Sequence, residues 1–246
     1  MDRLGGQSAG ISESGHATLA AGVRWGGMST LARGTWILLD LLAEVLAPAR
    51  CGACDVPVVR RAVFCAACAS TTERPLQPAP DPRALAAFVY GGALARAITR
   101  FKYEGRPDLA RPLGDLLWSA VAPHASELGG SVVVPVPLHA TRLAERGYNQ
   151  AALLANRVAW RLGAKVRATA LARTRDTPRQ ATRGRADRLS NVVQAFHARE
   201  PRAVAGCAVL LIDDVRTTGS TLRACMAALT QAGAASVRTA VLAQAE

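Results

Sequence analysis

Near its carboxyl end the chain gathers two carboxylates, four hydroxyls and a glycine within nine residues: Asp213, Asp214, Val215, Arg216, Thr217, Thr218, Gly219, Ser220 and Thr221. The apolar run Ala208, Val209, Leu210, Leu211, Ile212 precedes them, and Leu222, Cys225, Met226 and Leu229 recur afterwards at helical spacing. A buried strand would carry the acids to the carboxyl edge of a sheet, where open α/β folds bind ligands. Gly219 permits a tight turn and close approach of backbone to an anion. The hydroxyls can cap the helix and donate to phosphate oxygens, and the helix start favours the same anion. Carboxylates repel phosphate, so Asp213 and Asp214 suit sugar hydroxyls or a bridging magnesium ion instead. The pattern describes a phosphate beside a diol, and ribose 5-phosphate fits it. A capped helix start with two solvated acids is the plainer reading of the same residues.

A second candidate anion site lies upstream. Pro135 and Pro137 stiffen the exit from a buried strand at 132–134, and Leu138 and His139 follow. Arg142 and Arg146 stand four apart, so in a helix they face one anion, and Arg forks suit pyrophosphate. A solvated basic face explains the spacing equally well. His139, alone after a proline turn, reads as a residue that positions backbone rather than as an acid/base catalyst. Lys102 reads as a surface lysine favourable to a helix C-terminus.

The third cluster is Cys51-x-x-Cys54 and Cys65-x-x-Cys68, two knuckles ten residues apart. Four thiolates so spaced make a closed tetrahedral zinc site with no open position for chemistry. A redox pair needs no second knuckle. Without a secretory signal, metal ligation in a reducing cytosol explains the cysteines better than disulfides. Arg50, Arg60 and Arg61 add a small basic patch able to touch nucleic acid. Cys207 and Cys225 read as core residues.

These clusters need elements to hold them. Strand patterns at 85–90, 132–134, 209–212 and 237–242 alternate with helix patterns at 93–103, 109–121, 149–162 and 221–231. That alternation predicts an α/β fold with a parallel sheet. Upstream, residues 1–30 lack periodicity and read as a disordered or non-native extension, with Met28 a candidate true start. A helix and the zinc ribbon occupy 31–70, a proline-rich linker 71–83, and the main domain 84–246. The longest apolar run, 36–48, is too short to span a bilayer and contains Asp40 and Glu44, so no membrane partner is expected and the location is read as cytoplasmic. The net charge of +12, concentrated as arginines between 139 and 199, suits polyanionic partners. Aromatic residues do not interleave with those arginines in the sequence, so no stacking platform for single strands is evident. The oligomeric state is left open.

Leu210 to Thr221 closely resembles the signature of type I phosphoribosyltransferases, which bind 5-phosphoribosyl diphosphate (PRPP). By that resemblance Asp213 and Asp214 hold the ribose hydroxyls, and Thr217, Thr218, Gly219, Ser220 and Thr221 hold the 5-phosphate. Enzymes of this fold acting on 6-oxopurines usually carry Asp where this chain has Thr217, which argues against hypoxanthine or guanine salvage. Val134-Pro135-Val136-Pro137-Leu138-His139, then Arg146-Gly147-Tyr148-Asn149-Gln150, narrows the resemblance to the ComF family, including proteins described as GntX. So does the set Arg173, Thr177, Gln180, Arg188, Asn191, Val192 and Phe196. The resemblance spans roughly 38–242. It implies a type I phosphoribosyltransferase-like sheet with an N-terminal zinc ribbon. It also implies a pyrophosphate loop at Pro137, Leu138, His139, Arg142 and Arg146, a mobile hood bearing Arg173, Gln180 and Arg188, and magnesium bound with PRPP. The function expected is binding of a phosphoribosyl ligand, with transfer to an unknown acceptor. The alternatives are a competence accessory protein acting with single-stranded DNA or a helicase, and a PRPP-sensing regulator.

Overall fold

Parallel strands buried on both faces must be apolar where they are covered, and the strand Ala208–Arg216 meets that demand with Val209, Leu210, Leu211 and Ile212, all essentially inaccessible. The computed structural model describes residues 49–59, 62–75, 83–174 and 195–245. The helix expected within 36–48, Arg60, Arg61, most of the linker, and the hood residues Gln180 and Arg188 lie outside them. In chain order the described elements are α1 (Ala66–Ala69), β1 (Ala84–Val89), α2 (Gly92–Tyr103), α3 (Ala110–Val121), β2 (Val132–Pro135), α4 (Ala140–Arg146), α5 (Gln150–Leu162), β3 (Lys165–Val166), β4 (Leu171–Arg173), β5 (Phe196–Ala198), β6 (Ala208–Arg216), α6 (Ser220–Gln231) and β7 (Ser236–Gln244).

The main sheet runs β1-β7-β6-β2-β3, and every pairing in it is parallel. Alternate residues of β6 serve opposite layers. Leu210 and Ile212 join Leu94, Phe101, Leu113 and Leu154 beneath α2, α3 and α5. Val209 and Leu211 join Leu222, Cys225 and Leu229 of α6, together with Leu171 and Phe196. The two arms β4 and β5 pair antiparallel as a separate ribbon.

The strongest sequence patterns became elements at nearly the expected places. Three differences bear on function. β6 continues to Arg216, so both acids lie inside a strand rather than in a loop after it. The stretch after the proline turn is helical, as α4. The ribbon β4–β5 carries too few residues to show periodicity.

No helix among the described residues is long and apolar enough to cross a membrane.

Candidate functional site

The carboxyl edge of the sheet brings the two anion-site candidates together. Val136 donates its N–H to the carbonyl of Ile212 at 2.9 Å, so the proline turn starts beside the residue that precedes the acids. Asp213 accepts the backbone N–H of Asp214 at 2.8 Å, and Asp214 is 7% exposed. Burial, followed by the neighbouring Asp214 charge, pushes the Asp213 carboxyl up to about 7 against the pull of Lys102 and Arg173. The turn continues through Gly219 at φ +71°, in the left-handed region that glycine tolerates. No side chain caps α6; Thr218 instead accepts the Ser220 N–H at 3.4 Å and bonds its hydroxyl at 3.1 Å. Thr217 and Thr218 are exposed, and Ser220 and Thr221 partly so. The structure therefore presents four hydroxyls around one helix start.

His139 caps α4: its Nδ1 accepts the Thr141 N–H at 3.4 Å and lies 3.1 Å from the Thr141 hydroxyl. Asn149 caps α5 through two backbone N–H groups and donates to the Val136 carbonyl at 3.0 Å, tying the arginine-rich segment to the proline turn. Arg146 donates to Gln150 Oε1 at 3.0 Å, and its guanidinium lies 4.7 Å over the Tyr103 ring. Gln150 is 1% exposed, and its amide nitrogen has no partner among the described residues.

Lys102 differs from the surface lysine expected. Its Nζ sits 2.8 Å from Asp214 Oδ1, and its side chain is 14% exposed. Phe101, the preceding residue, is fully buried and accepts the Tyr148 hydroxyl on its carbonyl. That burial turns the end of α2 toward the acids, which periodicity alone does not reveal. Two more side chains went unremarked in the sequence. Tyr103 stands over the same edge, and Arg223 reaches back to the Thr218 carbonyl at 2.9 Å. The spacing of Arg223, one turn beyond Gly219, was the available signal.

The ribbon β4–β5 bounds the segment 175–194, and Arg173 at its start lies 5.4 Å over the Phe196 ring. Arg173 also lowers the Asp213 value, so its charge reaches the acidic pair.

The four cysteines converge as the spacing predicts. Their sulfurs all lie within 4.8 Å of one another, with Cys54 and Cys65 3.7 Å apart. Four sulfurs each about 2.3 Å from a common tetrahedral centre stand about 3.8 Å apart, so the set fits a metal ion. Burial opposes ionisation of Cys51, yet the Cys65, Ala53 and Cys54 backbones pull its thiol down to about 6. Burial and the surrounding sulfurs push Cys68 up to about 12. The cluster is pinned to α2. Asp55 binds Arg100 and Arg106, the latter at 3.0 Å, Arg100 donates to the Gly52 carbonyl at 3.3 Å, and Arg96 reaches Cys68 Sγ at 3.7 Å. At the other end of the helix Thr71 accepts the Ala93 N–H at 2.9 Å. Gly92, at φ +50°, lies so close that an added Cβ would meet the Thr71 carbonyl at 2.1 Å.

Comparison with known proteins agrees with this arrangement. Residues 148–246 match the phosphoribosyl transferase domain. DNA utilization protein YhgH of Escherichia coli K12 is 29% identical over 223 residues, 88% of this chain and 94% of that protein. A solved glutamine phosphoribosylpyrophosphate amidotransferase from B. subtilis is 23% identical, covering 57% of this chain and 30% of that one with a TM-score of 0.40, too slight a likeness to carry weight. Competence protein F of Haemophilus influenzae is 32% identical over 177 residues, 70% of this chain and 74% of that protein. On that shared length, and on the matched domain and the cysteine cluster, the chain belongs to the ComF family.

Proposed function

We propose that the chain binds PRPP with Mg2+ at the carboxyl edge of β6 and β2, within a phosphoribosyltransferase-like domain covering 84–246. The observation that carries this reading is the union, on one strand end, of an acidic pair, Asp214 buried and Asp213 partly so, and a hydroxyl-lined, glycine-turned helix start. Asp213 and Asp214 take the ribose hydroxyls, and Thr217, Thr218, Gly219, Ser220 and Thr221 take the 5-phosphate through hydroxyls and backbone N–H groups. Pro137, Leu138 and His139, with Arg142 and Arg146, face the diphosphate, and Arg173, Gln180 and Arg188 belong to the hood over it. The carboxylates are hard oxygen donors of the kind Mg2+ takes, and the ion would neutralise the departing diphosphate. Lys102, already paired with Asp214, keeps the buried acid neutralised before ligand arrives.

Cys51, Cys54, Cys65 and Cys68 hold zinc as a structural ion in the ribbon that, with an N-terminal helix, makes up 31–70, joined to the domain through the proline-rich linker 71–83. Transfer of the phosphoribosyl group follows when an acceptor reaches C1 of the sugar.

Isothermal titration tests the central claim. PRPP with Mg2+ binds the wild type, and Asp214→Asn removes the heat; an absence of heat with the wild type would refute the reading. Diphosphate release in the presence of candidate acceptors separates a transferase from a sensor.

The relatives named for DNA utilization and competence support a second reading, an accessory protein that holds single-stranded DNA. It draws on Trp160, 67% exposed, with Arg157 at 4.5 Å and Arg161 at 5.6 Å from its ring centroid. DNA affinity that falls steeply with salt and drops in Trp160→Ala would favour it.

A further inference from the structure

We propose that Cys54 and Cys65 form a peroxide-oxidisable pair whose disulfide displaces the metal ion of the cysteine cluster and, through α2, weakens the site at the sheet edge. The oxidation stands by itself; its effect at the sheet edge rests on the phosphoribosyl reading above.

All four sulfurs lie within 4.8 Å of one another, so proximity does not choose which two react. Access does. Cys51 is inaccessible and Cys68 is 5% exposed, both packed in the small cluster with Ala53 and Ala93. Cys65 is half-buried, whereas Cys54 is exposed. Cys54 also lines a cavity of about 520 Å3 between the first knuckle and α2, together with Asp55, Arg96 and Thr99. Such a volume admits peroxide readily, since a water molecule takes only roughly 30 Å3. The Cys54 and Cys65 sulfurs are 3.7 Å apart, and closing to roughly 2.0 Å makes a disulfide. That bond ties one knuckle to the other, so the loop stays closed without its metal. Cys225 is fully buried and Cys207 half-buried, and they serve as internal controls.

The chemistry needs one oxidant and no other group. The Cys54 thiolate attacks a peroxide oxygen, the O–O bond breaks, and hydroxide leaves a sulfenic acid behind. The Cys65 thiolate attacks that sulfur, the S–O bond breaks, and a second hydroxide leaves. Two electrons have passed from sulfur to peroxide, and two solvent protons convert both hydroxides to water. Neutral disulfide sulfurs are poor metal ligands, and Cys51 and Cys68 alone cannot complete a tetrahedral site.

The same region grips α2. Gly52, inside the first knuckle, accepts Arg100 on its carbonyl at 3.3 Å, and Cys68 Sγ accepts Arg96 at 3.7 Å. Two residues beyond Arg100, Lys102 stands 2.8 Å from Asp214. Drawing Cys54 toward Cys65 shifts the Gly52 carbonyl, and one helix carries that shift to the acidic pair.

The experiment treats the metal-loaded full chain with hydrogen peroxide. A chromogenic indicator reads metal release, mass spectrometry locates the disulfide, and isothermal titration with PRPP and Mg2+ is run before and after. A Cys54–Cys65 disulfide forms as metal is released, Cys207 and Cys225 stay reduced, and dithiothreitol with zinc reverses both changes. PRPP affinity falls about fivefold or more on oxidation and recovers on reduction. Cys54→His supplies a nitrogen ligand in place of sulfur, so that variant loads metal and keeps it under the same peroxide dose. A first disulfide that involves Cys51 or Cys68, or metal loss from Cys54→His as fast as from the wild type, would overturn the pair. The position of the disulfide in the unaltered chain decides the matter even where Cys54→His fails to load. Equal PRPP affinity before and after oxidation would overturn the coupling and leave the phosphoribosyl reading standing. A reduced, metal-loaded chain that binds no PRPP would sink that reading and the coupling with it, while the disulfide still judges the oxidation.

Discussion

The cysteine cluster and the acid–hydroxyl turn are both short motifs, yet they are supported in opposite ways. The turn grows from β6, whose Leu210, Leu211 and Ile212 are fully buried between two helical layers. The cysteine region has four buried apolar members, Cys51, Ala53, Cys68 and Ala93, and one of those belongs to α2. Val63 and Phe64 between the knuckles pack, only partly buried, against the main core, and the remaining attachments are polar: Asp55 to Arg100 and Arg106, and Thr71 to Ala93. A loop on a large core inherits that core's rigidity, whereas a knuckle over a few small residues would draw most of its stability from a metal held by its four sulfurs. One helix serves both. Ala93, Arg96 and Arg100 of α2 reach the cysteine region, Leu94, Ile98 and Phe101 face the main core, and the last turn places Lys102 and Tyr103 at the sheet edge.

The largest expected effect comes from breaking the weaker region. Chelation, or Cys54→Ser, removes a metal contribution on the order of 10 kcal/mol from that region. Calorimetry then shows an early metal-dependent transition while the main sheet still melts late. A single transition unmoved by chelator would erase the contrast. Weakened PRPP binding in the same sample would show that α2 transmits the loss.

Attacking the shared helix from the core side comes next. Phe101→Ala costs roughly 3–5 kcal/mol, read by urea denaturation, because its ring is completely buried against Tyr148 at 5.7 Å. It lowers ligand affinity without releasing metal. Loss of metal in that variant would mean the cysteine region depends on the core after all.

The acidic pair responds to pH. Asp213 is held up from 3.8 to about 7, so the folded state binds its proton more tightly than the unfolded chain does. Stability from this group is full below the unfolded value and is lost as pH rises toward about 7. Asp213→Asn therefore raises the melting temperature more at about pH 8 than at about pH 5. An equal gain at both would show that the carboxyl titrates normally.

The smallest effect is Tyr148→Phe. Removing the hydroxyl that donates to the Phe101 carbonyl costs about 1 kcal/mol by denaturation. A larger loss in PRPP affinity than in stability would show that this bond orients the last turn of α2 toward Asp214.

Much of the molecule was legible in local pattern. The α/β alternation, the parallel sheet, the turn at Gly219 and the four-cysteine set follow from periodicity and spacing, which report contacts made within a few residues. The extent of β6 was less legible, because Asp213 and Asp214 look like the end of an apolar strand. Their backbone nonetheless stays in the ladder, with Asp213 opposite Val241 and Arg216 opposite Gln244. Lys102 was misread for a related reason. Its immediate neighbours describe a helix end, and its partner Asp214 lies more than a hundred positions away.

Aromatic residues looked separate from the arginines along the chain, and folding alone sets Tyr103 under Arg146, whereas Trp160, next to Arg161 and one turn after Arg157, already stands among arginines in the sequence, which the expectation overlooked. Sequence alone determined which chemical groups exist and which short runs would turn, pair or ligate. Tertiary structure alone decided that Lys102 meets Asp214, that Tyr103 and Arg146 close one cavity, and that the cysteine region grips the helix delivering them. Those contacts join segments with no local signature for each other, and only burial of Phe101 and β6 in a common core brings them within reach.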